Sequence, residues 1–147
     1  MVAAKKVAVK ESVPEFVLRN TTPVGEINSF GLVIIDTKSS KVLGAMSANL
    51  NEDTPNVLQI DAHSNATDYT VKALDEFANK FNRTVREELF ILGLEWGIKN
   101  GADTLSTQGS DMHDQQLFFS CVNMGWFNTD GKIKVIPMNS GIPYEEK

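Results

Sequence analysis

The sequence predicts an α/β fold of the α+β kind, with a mixed, largely antiparallel central sheet flanked by helices in a single domain over residues 1–147. Three observations carry this prediction. Apolar, β-branched runs in the first half are separated by short polar turns, the pattern of hairpins. Two segments in the middle place apolar residues three and four apart, the period of one helix face. Beyond them the pattern reads strand, helix and a final Asp-Gly hairpin, so helices are interleaved with a sheet.

Residues 1–12, rich in Lys and Val, are expected to be loose or to form a first edge strand. Val13 to Arg19 reads as a short strand whose pairing Pro14 limits, because proline lacks the N–H a ladder needs. Asn20 to Gly25 is a turn cluster. Phe30 to Asp36 is a continuous apolar run, suited to a strand covered on both faces. Thr37 to Lys41 turns the chain, and Val42 to Ala48 runs back as its hairpin partner. Asn51 to Pro55 breaks the pattern, and Asn56 to His63 alternates as a third core strand.

Thr67 or Asp68 is the expected cap of a helix that carries Val71, Leu74, Phe77 and Phe81 on one face. Asn82 interrupts or caps it. Val85, Leu89, Leu92 and Trp96 repeat in a second helix, with Arg83, Arg86, Glu87, Glu88 and Glu95 mostly on the opposite side. Asn100-Gly101 stops it, since glycine accepts the left-handed conformation of a helix end. Ala102 to Thr107 is a short strand, and Gly109-Ser110-Asp111 turns into a helix from about His113 to Asn123. Trp126-Phe127 and Lys132 to Met138 form the last hairpin around Asp130-Gly131, before a polar tail, Asn139 to Lys147.

Composition narrows the function. The formal charge is 14 − 19 = −5, with a pI near 5.0. Duplex binding is driven by clustered Lys and Arg, so no nucleic-acid partner is expected. The single cysteine, Cys121, excludes an intrachain disulfide and a four-cysteine zinc site. No apolar run approaches the roughly 18 residues of a membrane helix. The first ten residues carry too few apolar positions for a signal-peptide core. The expectation is a soluble, cytoplasmic protein with no membrane partner.

Three stretches resemble the GNAT fold, that of the acyl-CoA N-acyltransferase superfamily. Gly31-Leu32-Val33-Ile34-Ile35-Asp36 to Val42-Leu43-Gly44-Ala45 is similar to the family's second and third strands. Leu94 to Leu105 is similar to its "…A…G…L" helix-to-strand passage. Gln115 to Trp126, ending Asn123-Met124-Gly125-Trp126, is similar to the "FYxxxGF" passage before its sixth strand. Together they cover about residues 30–136. The resemblance implies transfer of an acyl group from acetyl-CoA or another acyl-CoA, as co-substrate, to a small-molecule or peptide amine. The family opens its central helix with Gln/Arg-x-x-Gly-x-Gly/Ala, whose backbone N–H groups hold the CoA pyrophosphate. That turn falls on Phe81 to Arg86, with Thr84 and Arg86 at the glycine positions. Arg83, Thr84 and Arg86 are therefore the implied cofactor-binding residues. The family's proton-returning Tyr aligns with Cys121, and its upstream Asn falls near Asp114.

The two histidines sit in matching contexts, Asp61-Ala62-His63 at a strand end and Asp111-Met112-His113-Asp114 at a helix start. On a strand, residues i and i+2 share a face, so Asp61 and His63 can act together on an amine proton. Two imidazoles and two carboxylates are also a donor set for a divalent metal, and both pairs are equally compatible with ordinary capping and surface roles. Cys121, between apolar helix residues, reads as a buried small hydrophobe or as the acid that protonates a leaving thiolate. Three functions remain open: acyl transfer, with Asp61, His63 and Cys121 as catalytic residues; a non-catalytic binding or assembly protein on the same scaffold, burying a strand edge or aromatic patch against copies of itself; and a metal-dependent hydrolase using the two Asp-x-His pairs.

Overall fold

A computed structural model describes residues 13–106 and 112–146, with the side chains of 112–115 outside the description. Among the described residues five strands, β1 (Phe16–Asn20), β2 (Ser29–Asp36), β3 (Lys41–Leu50), β4 (Val57–Ser64) and β5 (Thr104–Leu105), form one sheet in chain order. Neighbours are antiparallel except β4 and β5, which are parallel. Among the described residues the helices are α1 (Val71–Phe81), α2 (Val85–Lys99) and α3 (Met112–Asn123). The mixed, mostly antiparallel sheet with helices is the expected class. The expected residues 1–12, Thr107 and the 109–111 turn lie outside the described residues.

The β2–β3 register slips between Ile34, opposite Gly44, and Ile35, opposite Val42. Leu43 is thus the extra residue of a bulge, and it is fully buried. Pleating then sorts β4. Leu58 and Ala62 turn inward and are buried, while Gln59, Asp61 and His63 are exposed on the opposite face. The inward face carries α2, which crosses β2, β3 and β4. Contact is close because glycines line it. A Cβ at Gly44 would lie 2.7 Å from Val85 Cγ1 and 2.8 Å from the His63 carbonyl oxygen, and one at Gly97 would overlap the Leu58 side chain.

Several boundaries differ from expectation for local reasons. β1 begins at Phe16, past Pro14. α1 begins at Val71 with Thr70 as N-cap, because Thr67 to Thr70 curl into a turn of their own: the Thr70 hydroxyl accepts from the Thr67 N–H at 2.9 Å. Asn82 caps that helix in the left-handed region at φ 57°. Val71 is exposed rather than part of the apolar face, whereas Phe77 is fully buried between Phe16 and Phe81. The last hairpin is reduced to a single bridge, Phe127 with Ile133, and Lys132 bridges to Thr104 of β5. Trp96 is half-buried and stacks on Phe30 with ring centroids 5.6 Å apart. Phe127 is in the core, against Phe118 and Phe90.

The largest departure concerns α2. The expected polar side is only partly solvated: Arg83, Arg86, Glu87 and Glu95 keep partial exposure, but Glu88 is 0% exposed, and Phe90, Ile91 and Leu94 are buried. The tail covers part of this side. Residues 138–146 cross the outer side of α2 as a strap. Asn139 donates to the Glu95 carboxylate at 2.9 Å, and Ser140 donates from its N–H and its hydroxyl to Glu88. Ile142 is buried. The strap ends beside β1, where the Leu18 N–H donates to the Pro143 carbonyl at 2.8 Å and the Glu145 N–H donates to the Leu18 carbonyl at 2.9 Å. Arg19 clamps the Glu145 side chain there.

Candidate functional site at the start of the central helix

β4 and β5 pair at only two positions, Val57 with Thr104 and Leu58 with Leu105. The Ser106 N–H donates to the Leu58 carbonyl at 2.8 Å, and no strand among the described residues pairs with that edge of β4 further on, although β4 continues to Ser64. At Ala62 the carbonyl on this open edge accepts from Arg86 Nε at 2.7 Å. The first turn of α2 therefore abuts the edge of β4 beyond the described β4–β5 pairs.

That first turn is closed on itself. Thr84 is the N-cap, in extended conformation. Its hydroxyl accepts from the Glu87 N–H at 3.0 Å, and the Glu87 carboxylate accepts from the Thr84 N–H at 2.7 Å, a reciprocal capping box. Glu87 thus supplies the negative charge that the positive helix end attracts. Beside it, the buried Glu88 carboxylate accepts from Arg83 Nη1 at 3.0 Å, from the Ser140 N–H at 2.9 Å and from the Ser140 hydroxyl at 2.6 Å. Arg83 also donates to the Met138 carbonyl at 2.9 Å. Both arginines expected to meet phosphate are engaged within the chain, and two carboxylates stand where an anion would arrive.

The structure brings Arg83, Thr84 and Arg86 onto one turn, and Arg86 reaches β4 between Asp61 and His63. It sets the Asp61 and His63 side chains on the other face of the sheet, opposite Ser47 and Ala45 of β3 and open to solvent. Cys121, on α3, is 0% exposed and belongs to the core with Phe118 and Phe127. Burial pushes its thiol up from 9.0 to about 12, and the Glu87 carboxylate adds to the rise. A thiol held there keeps its proton at neutral pH. Asp111 and the side chains of His113 and Asp114 lie outside the described residues. Among the described residues no three His, Cys, Asp or Glu side chains cluster as metal ligands. No described helix is long and apolar enough to cross a membrane.

Sequence reasoning missed Glu87 and Ser140 as determinants of this site. Glu87 was legible, since Thr84-x-x-Glu87 is a capping-box pattern. Ser140 carries no local signal. Concavities among the described residues also lie elsewhere. One, of about 540 Å³, runs along the outer edge of β1 over Val17 and Ile35 and under Pro143 and Tyr144. Another, of about 300 Å³, is a shallow dish beside Phe30, Leu92 and Trp96.

No family model, curated protein or solved structure matches the chain.

Proposed function

We propose that this chain is a binding or assembly protein on a GNAT-like scaffold, acting without acyl transfer. The sheet order, the parallel β4–β5 pair, and the helix α2 that lies between those strands in sequence and packs on the sheet support a GNAT-like arrangement. The return of Lys132 beside Thr104 supports it too. One observation carries the functional reading: the start of α2 is filled by the capping box of Thr84 and Glu87. A pyrophosphate there would displace a carboxylate from the helix end, lie near Glu88, and meet side chains where close approach to backbone needs glycine. Fold alone does not supply the activity.

The test is thermal unfolding with millimolar CoA, acetyl-CoA and a longer acyl-CoA. A ligand that binds the folded state raises its stability with concentration. No shift is expected for any of the three, and a saturable rise with acyl-CoA overturns the proposal. For self-assembly, light scattering across a concentration series is expected to show species above the 16.2 kDa monomer. A strict monomer removes that form of the proposal.

Acyl transfer from acetyl-CoA or another acyl-CoA to an amine is the second reading, favoured by the edge of β4 beyond Leu58, with which no strand among the described residues pairs. Backbone groups on such an edge can hold an amide-bearing arm and polarise a thioester carbonyl. Asp61 or His63 would take the amine proton through water. The raised Cys121 thiol leaves water as the better proton donor to the thiolate. This reading requires Arg83, Thr84 and Arg86 to exchange their present partners for phosphate, which the same acyl-CoA titration measures.

A further inference from the structure

We draw no further inference here: the strongest candidate, the groove along the outer edge of β1 floored by Val17 and Ile35 and walled by Pro143 and Tyr144, is an apolar face with nothing in the structure to show what covers it.

Discussion

At the residue scale, the two groups that most constrain function are Cys121 and Glu88. Cys121 has no exposed surface and its thiol lies at about 12. In the native protein it is expected to resist alkylation at pH 8 and to react at once in denaturant, which a thiol-reagent time course reads directly. Rapid native labelling would remove the argument against a chemical role. The raised value also fixes a pH dependence. The folded state holds its proton more tightly than the unfolded chain, so the resulting stabilisation is complete below pH 9 and lost between pH 9 and 12. Cys121→Ala should flatten the alkaline fall of the urea midpoint in that window. Glu88 is the buried end of an ion pair with Arg83, and Ser140 completes its bonding. Glu88→Ala leaves a part-buried guanidinium and an N–H without their acceptor, and a loss of about 3–5 kcal/mol is expected from chemical denaturation. Glu88→Gln, which keeps an acceptor, should cost less.

At the element scale, α2 decides both packing and site. Its periodicity was legible, and so was its cap, because both are written within a few adjacent residues. Its environment was not. A helix whose outer side is partly covered and an amphipathic surface helix share the same apolar stripe toward the sheet, and they differ in what covers the other side. The glycines facing the sheet give a direct check. Gly97→Ala places a methyl against Leu58, which has room to shift only in part, so a loss of about 1–3 kcal/mol is expected. Gly44→Ala meets the His63 carbonyl, which is backbone held in the β3–β4 ladder, and should be the more damaging of the two. Equal and negligible effects in a urea titration would contradict the packing described. Thr84→Ala should cost about 1 kcal/mol through loss of the cap, with no change in response to acyl-CoA if the proposed function holds.

At the scale of the whole molecule, the strap of residues 138–146 joins the two ends of the fold. It seals Glu88, and it supplies a partner to the outer edge of β1 at Leu18. Removal of residues 139–147 is expected to lower the melting temperature and to increase light scattering on heating, since it uncovers a strand edge and the core around Ile142. Unchanged melting would show that the strap is dispensable.

The order of strands and helices, the bounds of the central hairpin to within a few residues, the stop at Asn100-Gly101, and the presence of side chains in place of glycine at the start of α2 were all legible along the chain. These depend on pleat, helical period and hydrogen bonds between near neighbours, all of which act over a few residues. Long-range packing alone makes Glu88 interior, turns Asp61 and His63 away from α2, and buries the Cys121 thiol. The polar tail, too, became a strap only through bonds such as Ser140 to Glu88, 52 residues apart. Charge state and solvent access are set by which distant segments fold over a residue, and no local pattern records that.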